Sequence, residues 1–550
     1  RPGLEWSDGT PVTPGDVVQW LNLDAAYPSM WADYLAPTPS GQALGLPDDL
    51  RAVAVSGLRV TLTLAGPVDP TWFTYSELSQ LTPLPPAWDL YEPSHPHLQA
   101  GGPNSLAGNG GRFTGPTASA GCDGSRWIGN GNDGPSSTFL DPMGTRTVVT
   151  ASNVALAQRC VDVVDLMRSA SADTAHYATP GTDVARLFSL SDGPWRLRTY
   201  DAATGSVTFL PNLHAGASGG TPAASRLDLV PCASAAACTA LLSHGKVTAG
   251  ELPLSVAPPT PSLAAAPSRN PMRGYREHVV GSWATTFLPY NFSSARGADG
   301  RAGRVFRQGY FRQAFQSLVD QPGWIRGPLD GYGAPEASPV PSFPPSAFSH
   351  VRAAPYPYSI ARAGSLLRAH GWHVVAGGLT TCASAAACGT GLVKGTPLSF
   401  TIEFAPSSPA LTEGLRRLVA SAAKVGVQLT LHQTTLTRVL DDVSTPSAGW
   451  DLASWDGGWQ YAPDYFPSGE WLFATGSPWN VGRYADPAAT RLVLATLQSP
   501  GTLGAYETYL ADQLPVVWLP TPVSLVEVRA AVQGVQLSPL GGLSPQTWRP

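Results

Sequence analysis

The 550 residues of this chain exceed what one hydrophobic core supports, because single cores stop growing near about 250–300 residues. Charged residues make up only 13% of the chain and the formal net charge is −5, so the sequence lacks the basic character that nucleic-acid binding requires. No apolar run reaches the roughly 18 uninterrupted residues of a membrane-spanning helix. We therefore expect more than one packed unit, no spanning helix and no nucleic-acid partner.

The first predicted element is a turn followed by a capped helix. Residues 7–9 (Ser-Asp-Gly) supply the turn. The hydroxyl of Thr13 can cap the helix, and Pro14 suits the first helical position. Asp16 then lies near the positively polarised start of the helix, where a carboxylate is favourable.

Strands and helices are predicted in alternation along the rest of the chain. Alternating apolar and polar residues predict half-buried strands at residues 58–64, 207–210 and 398–404. Apolar residues spaced three and four apart predict helices at residues 305–319, 359–370, 411–424 and 488–498. This mixture of elements indicates an α/β fold.

The cysteines follow a pattern that predicts disulfides. They are Cys122, Cys160, Cys232, Cys238, Cys382 and Cys388, and the heptapeptide Cys-Ala-Ser-Ala-Ala-Ala-Cys occurs twice, at residues 232–238 and 382–388. Small residues between the cysteines let two Cβ atoms approach to the ~3.8 Å that a disulfide needs. Zinc sites more often have closer cysteine pairs with nearby histidines, which these loops lack. We predict two local disulfides over free thiols, which favours an oxidising compartment.

Residues 90–185 form a distinct predicted unit. They are rich in Gly, Asn, Ser and Pro around one predicted helix at 151–169, which indicates an inserted, loop-rich subdomain. Cys122 and Cys160 remain as a third pair once the two local pairs are assigned. A disulfide between them would link the loop-rich part of the insertion to its predicted helix.

Motifs for catalysis or metal binding are weak in this sequence. Residues 216–220 fit the letters of the Gly-x-Ser-x-Gly nucleophile elbow, but the strand–turn–helix context that would expose Ser218 is missing. His370 and His373 lack an adjacent carboxylate, so we interpret them as part of a helix end. Phosphate-binding, zinc-protease and dinucleotide motifs do not occur. We expect no catalytic residue, no metal ligand and no cofactor.

A series of motifs follows in one order across nearly the whole chain. They lie at residues 5–18 (Glu-Trp-Ser-Asp-Gly-Thr-Pro-Val-Thr-Pro-Gly-Asp-Val-Val), 192–197 (Asp-Gly-Pro-Trp-Arg-Leu), 240–245 (Ala-Leu-Leu-Ser-His-Gly), 310–315 (Tyr-Phe-Arg-Gln-Ala-Phe), 361–372, 459–467 (Trp-Gln-Tyr-Ala-Pro-Asp-Tyr-Phe-Pro) and 480–484. Their composition and order resemble the family 5 extracellular solute-binding proteins of bacterial ABC importers. Residues 381–389 and 467–473 are most similar to actinobacterial members.

The resemblance implies a type II periplasmic-binding-protein fold, in which two α/β lobes close around a ligand. Lobe I is expected at 1–284, lobe II at 285–520 and a return to lobe I at 521–550, with crossing strands near 285–292 and 516–524. Family members carry further chain before the Trp-Ser-Asp-Gly segment, so lobe I is expected to lack its N-terminal strands.

The resemblance also implies a ligand segment. Asp464 falls where the family's amine-binding aspartate lies, and Asp456 is the alternative because the spacing differs by a few residues. Trp455, Trp459 and Tyr461 are expected either to wall the pocket or to fill the core of the lobe. An enclosed peptide must find partners for its polar groups, because burying them unpaired is costly.

The implied function is capture of oligopeptides outside the cell and their delivery to a membrane ABC permease. We expect a monomeric protein without enzymatic activity, anchored at the cell surface by a lipid. Oligosaccharides, metal chelates and haem are alternative ligands for the same fold. A secreted hydrolase using Ser218 is the alternative from a different functional class.

Overall fold

The structure is a computed structural model of the chain. It describes residues 2–26, 36–37, 43–44, 50–85, 138–140, 146–148, 190–201, 203–216, 220–263, 270–293, 300–351, 353–406, 408–445, 449–455, 458–461, 466–477, 479–499, 501–537 and 542–549. Most of the predicted insertion at 90–185, including Cys122, Cys160 and the predicted helix at 151–169, lies outside the described residues.

Helices and strands alternate along the described chain. The helices are α1 (Pro14–Ala26), α2 (Pro70–Trp72), α3 (Ala235–Ser243), α4 (Arg301–Phe306), α5 (Gly309–Gln316), α6 (Gln321–Arg326), α7 (Ile360–Ala369), α8 (Ala385–Cys388), α9 (Pro409–Ala423), α10 (Leu436–Ser444), α11 (Glu470–Phe473), α12 (Pro487–Gln498) and α13 (Leu503–Gln513). Within the described ranges, no helix combines the length and the apolar character needed to cross a membrane.

The strands are mostly short. They are β1 (Ala36–Pro37), β2 (Ala43–Leu44), β3 (Leu50–Ser56), β4 (Arg59–Leu64), β5 (Thr138–Leu140), β6 (Arg146–Val148), β7 (Trp195–Asp201), β8 (Ser206–Pro211), β9 (Leu227–Leu229), β10 (Ala249–Leu252), β11 (Tyr275–Val280), β12 (Ala284–Pro289), β13 (Gly333–Ala334), β14 (Trp372–His373), β15 (Thr381–Cys382), β16 (Ser399–Phe404), β17 (Gln428–Gln433), β18 (Leu452–Ser454), β19 (Trp459–Gln460), β20 (Val516–Leu519), β21 (Thr521–Pro522) and β22 (Ser524–Arg529). The three predicted strands correspond to β4, β8 and β16.

The first helix begins where the sequence predicts, at Pro14. The predicted cap was the Thr13 hydroxyl, but the capping side chain is that of Asp16. Asp16 is the capping group: its carboxylate accepts a hydrogen bond from the Thr13 backbone N–H (2.9 Å), and the Thr13 hydroxyl also donates to it (3.1 Å). The indole N–H of Trp6 donates to the same carboxylate (3.2 Å). Burial raises the pKa of Asp16, although these hydrogen bonds favour its ionised form.

A three-stranded sheet joins distant parts of the chain. β22 lies between β10 and β11 and is antiparallel to both, with Glu527 opposite Gly250 on one side and Glu277 on the other. The chain therefore returns near its C-terminus to a sheet that it began much earlier. Val523, Leu525 and Tyr332 contribute to the small apolar core that this sheet covers.

Two connections leave this sheet side by side. Residues 281–283 lead from β11 into β12. Residues 520–523, which include the short strand β21, lead from β20 back into β22. β12 and β20 pair in antiparallel register, with Thr286 opposite Leu519. Every residue of β12 is buried. The predicted crossing strands near 285–292 and 516–524 fall on β12 and on β20 and β21. The lobe boundaries stay a prediction.

A parallel sheet organises the second half of the chain. β16 lies between β17 and β18 and is parallel to both, and α9 provides the helical crossover from β16 to β17. The apolar face of α9, including Leu411, Leu415 and Leu418, is buried in the largest apolar core. The predicted helices at 359–370, 411–424 and 488–498 correspond to α7, α9 and α12.

The helix predicted over 305–319 was wrong in one respect, because it is two helices, α4 and α5. Gln308 between them has extended backbone angles (φ −77°, ψ 111°). Its side-chain amide donates to the carbonyl of Arg304 (3.1 Å) and to that of Thr390 (3.3 Å) in a distant loop. This long-range contact fixes the break.

Both local disulfides are present in the structure. The Cα atoms of Cys232 and Cys238 lie 5.3 Å apart and those of Cys382 and Cys388 6.1 Å apart, within the usual range. In each heptapeptide the serine immediately precedes a helix, α3 or α8. The predicted pairing of both repeats is therefore confirmed, and the third pair lies outside the described residues.

Candidate ligand-binding site

The predicted ligand segment is attached to the first crossing strand. β19 pairs with β12, placing Trp459 opposite Thr285, and the N–H of Tyr461 donates to the carbonyl of Trp283 (2.8 Å). Gly458 precedes β19 with φ +59°, and a Cβ at this position would lie 1.8 Å from the Thr285 carbonyl oxygen. Only glycine permits this approach. The aromatic residues are thus held at the connection between the two sheets.

Two of the predicted aromatic residues form a partly accessible cluster. Trp455 packs edge-to-face on Phe287, with ring centroids 5.6 Å apart, and its indole N–H donates to the Gly458 carbonyl (2.9 Å). The rings of Trp459 and Trp479 lie 5.9 Å apart, and Trp479 is 39% exposed. Trp455 and Trp479 also line a narrow cleft with Phe287. This arrangement offers ring faces to a ligand.

Tyr461 has a different environment from the two tryptophans. It is fully buried, and its hydroxyl donates to the carbonyl of Pro339 (2.6 Å). Its ring belongs to the largest apolar core. Of the two roles that the sequence allows for Tyr461, filling the core fits this environment better than walling a pocket.

The predicted acidic residues Asp464 and its alternative Asp456 lie outside the described residues, as does Ser218 of the nucleophile-elbow motif.

His370 caps the C-terminal end of α7 and stacks on Tyr310 with ring centroids 3.7 Å apart. The helix-end interpretation of His370 therefore holds. Among the described residues, no three His, Cys, Asp or Glu side chains are grouped so that they could hold a metal ion.

A segment from the first part of the chain packs on the second part close to this cluster. Trp72 is fully buried, and its indole N–H donates to the Glu470 carboxylate (3.4 Å). The N–H of Asp69 donates to the carbonyl of Leu497 (2.7 Å) at the end of α12. Burial raises the pKa of Glu470, while a hydrogen bond from Ser468 and the indole N–H oppose the rise.

Sequence reasoning missed Trp72, Phe287 and Trp479 as members of this region. Trp479 directly precedes the 480–484 motif, so its position next to a recognised segment was a usable signal. Trp72 gave no comparable signal, because its partner Glu470 is 398 residues away in sequence.

Paired crossing strands between two sheets, with aromatic side chains gathered at the crossing, define a two-lobed binding protein of mixed helices and strands. The family model "Bacterial extracellular solute-binding proteins, family 5 Middle" matches residues 155–479, more than half of the chain. The chain belongs to this family, as its motifs predicted. A comparison with curated protein sequences gave no significant match.

Solved structures show the same fold. The oligopeptide-binding protein AppA from Bacillus subtilis, in complex with a nonapeptide, matches with a TM-score of 0.59 and 13% identity over 99% of this chain and 85% of that chain. Lactococcal OppA with an endogenous peptide matches with a TM-score of 0.59 and 16% identity over 100% and 86%. NikZ from Campylobacter jejuni with Ni(L-His) matches with a TM-score of 0.59 and 15% identity over 100% and 86%. The predicted two-lobed α/β fold is thereby confirmed.

Proposed function

We propose that the chain captures oligopeptides between its two lobes and delivers them, chemically unchanged, to an ABC permease in the membrane. The observation that carries this proposal is the cluster of Trp455, Trp459 and Trp479 held against the crossing strand β12. A ligand contacting this cluster would touch the part of the molecule about which the lobes move. Peptide complexes among the structural neighbours support oligopeptides as the ligand class.

A captured peptide needs fixed partners for its charged amine and its backbone. We assign the amine to Asp464, with Asp456 as the alternative, because both flank the segment that β19 attaches to β12. Removing a carboxylate that pairs with an enclosed ammonium group should weaken binding strongly, since it leaves the ammonium charge buried and unpaired. The tryptophans supply apolar contact area at low cost in side-chain entropy.

Thermal denaturation with a mixture of short peptides tests this assignment. A peptide that binds only the folded protein stabilises it by an amount that grows with the logarithm of peptide concentration above Kd, so the melting temperature of the wild-type protein should rise. Asp464→Ala should abolish the rise, whereas Asp441→Ala should keep it, because Asp441 is exposed on α10. An equal rise in wild-type protein and Asp464→Ala would reject the role of Asp464, and Asp456→Ala would then test the alternative.

An oligosaccharide is the second candidate ligand. It is favoured by the exposed ring of Trp479 beside Trp459, because flat ring faces suit stacking with sugars. Binding on a glycan array without any thermal response to peptides would support this candidate. A thermal response to peptides without glycan binding would remove it. A response to Ni(L-His) or haem alone would instead indicate a chelate binder.

The cellular setting is also part of the proposal. Two disulfides suit an oxidising environment outside the cytoplasm, and the family description is that of extracellular proteins. We propose a monomer tethered to the cell surface by a lipid anchor. Detergent partitioning and mass analysis of the protein from its native membrane would test the anchor.

A further inference from the structure

A pair of buried carboxylates lies on the two strands that lead into the crossing connections. Glu277 on β11 and Glu527 on β22 are direct cross-strand partners in antiparallel register. Side chains in this arrangement point to the same face of the sheet, with Cβ atoms about 4.5–5.5 Å apart. Glu527 is fully buried. Like charges in this position would repel each other strongly, because little water screens them.

The oxygens of this pair are poorly satisfied. Asn270 donates to Oε2 of Glu527 (2.8 Å). In the described part of the chain, Oε1 of Glu527 and both carboxylate oxygens of Glu277 are shielded from solvent and have no hydrogen bond of normal geometry. Two ionised carboxylates cannot persist in such a site without a counter-charge. One proton shared between the facing carboxyl groups would remove the repulsion and supply a donor.

Among the described residues, the other charged and titratable groups near the pair do not neutralise it. On the same face, the preceding pair along the strands is Tyr275 and Arg529, and the guanidinium of Arg529 is directed to the carbonyl of Gly245. Arg276 and His278 flank Glu277 on β11 and therefore point to the opposite face of the sheet. Glu251 on β10 is exposed, and its carboxylate accepts a hydrogen bond from Ser524.

Tyr332 also faces the pair, and it belongs to a segment beyond the crossing strands. Tyr332 precedes β13, which pairs with β21, and its phenol donates to the carbonyl of Pro258 (2.9 Å). Burial and the nearby Glu277 raise the pKa of Tyr332 to about 12, with Asp330 and Glu527 adding to the effect, so the phenol stays neutral. Tyr332, which lies in the predicted lobe II, thus places its neutral phenol beside Glu277 and packs in the small apolar core under the sheet.

We propose that Glu277 and Glu527 form a proton-sharing carboxyl pair that makes the arrangement of the two lobes depend on pH. At low pH the shared proton forms an O–H···O hydrogen bond between the two side chains, and Tyr332 packs on a site with reduced charge. At high pH the proton leaves to solvent and two negative charges face each other beside the phenol of Tyr332. Water must then reach the carboxylates, which favours separation of Tyr332 from the sheet and opening of the lobes.

Small-angle X-ray scattering of the ligand-free protein across pH 5 to 9 tests this proposal. Burial raises the pKa of Glu527 to about 7, and the neighbouring Glu277 adds to the rise. The radius of gyration of the wild-type protein should therefore increase with a midpoint near pH 7. Glu527→Gln should give a nearly constant radius, because the amide donates a hydrogen bond without titrating. Glu251→Gln is the matched control and should behave as wild type.

Three results would overturn the proposal. They are a flat wild-type profile, a wild-type profile retained in Glu527→Gln, and a profile lost equally in Glu251→Gln. If Glu527→Gln fails to fold, Glu277→Gln removes the same charge pair from the other strand and replaces it in the test. Calcium added at fixed pH provides a further test. If it raises the melting temperature of the wild-type protein but not that of Glu527→Gln, the pair binds a metal ion and proton sharing is contradicted.

Discussion

At the scale of single residues, similar aromatic side chains in one short segment have different environments. Trp455 and Trp459 are half-buried, whereas Tyr461 is fully buried and donates a hydrogen bond to the Pro339 carbonyl. The difference comes from what lies opposite each ring. For Tyr461 the neighbour is a loop 122 residues earlier in the sequence.

Tyr461→Phe isolates the contribution of that hydroxyl. Removing it leaves the buried Pro339 carbonyl without its donor, which should lower the free energy of unfolding by about 1–2 kcal/mol. Urea denaturation measures this change, and Tyr200→Phe on β7 serves as a control with little expected effect. Peptide affinity should stay unchanged. A loss of affinity with unchanged stability would show that Tyr461 contacts ligand instead.

Residue roles were only partly predictable from the sequence. Trp455, Trp459 and Tyr461 fall within one short stretch of the sequence, and the structure places the two tryptophans beside β12. Which of them packs in the core depends on contacts with Phe287 and Pro339, and no local pattern encodes those contacts. The roles of Asp456 and Asp464 still rest on the resemblance to the family.

At the scale of elements, helix ends show how local chemistry determines structure. Asp486 caps α12 by accepting hydrogen bonds from the N–H groups of Ala488 (2.8 Å) and Ala489 (3.3 Å). The hydroxyls of Tyr484 and Tyr509 also donate to this carboxylate. Burial opposes its ionisation, yet these four hydrogen bonds lower the pKa of Asp486 overall.

Asp486→Ala should cost about 1–2 kcal/mol of stability at neutral pH through loss of the cap. Because the folded pKa lies below the ordinary value of 3.8, the ionised carboxylate stabilises the fold above that pH. This contribution disappears as the pH falls through the folded pKa. Asp486→Asn should keep most of the cap and lose the acid-dependent part. Thermal melts at pH 3 and pH 7 measure both, and an unchanged acid profile in Asp486→Asn would contradict this account.

The two identical heptapeptides differ in their surroundings. Cys232 is exposed, whereas Cys382 and Cys388 are buried in the largest apolar core. A reductant under native conditions should therefore open Cys232–Cys238 first, because thiol–disulfide exchange requires access to a sulfur. Alkylation followed by mass spectrometry measures the order. Equal rates for the two bonds would show that burial does not control their reduction.

Most elements could be predicted, and the exceptions have a physical reason. β4, β8, β16, α7, α9 and α12 follow periodic patterns that span their whole length. The break between α4 and α5 was missed because the Gln308 amide is held by the carbonyl of Thr390, which lies 82 residues away. The cap of α1 was misassigned because Trp6 and Thr13 both bind Asp16, and spacing alone favoured the Thr13 hydroxyl.

At the scale of the whole molecule, Trp72 ties the first part of the chain to the second. Trp72→Phe keeps a buried ring but removes the donor to the buried Glu470 carboxylate. Trp20→Phe is a matched control, because Trp20 is also buried and its indole N–H has no partner in the described chain. Trp72→Phe should destabilise the protein by about 1–3 kcal/mol more than Trp20→Phe. Equal losses in urea denaturation would show that the Glu470 contact contributes nothing.

The two-lobed architecture was predictable because its motifs occur in order along the chain and the family constrains how the chain crosses between lobes. Two contacts were not predictable from the sequence. They are the hydrogen bond from Trp72 to Glu470 and the cross-strand pairing of Glu277 with Glu527. In both, the two partners are far apart in the sequence and meet only because the chain folds back on itself. The local sequence around each partner gives no sign of the contact.

Native mass spectrometry of the ligand-free protein mixed with an equimolar pool of defined peptides tests the central claim most directly. The account predicts one-to-one complexes whose ejected ligands have the masses of intact peptides, with the complexes lost in Asp464→Ala or Asp456→Ala and retained in Asp441→Ala. Absence of peptide complexes at saturating concentration, or release of hydrolysed fragments, would contradict capture of an unchanged peptide.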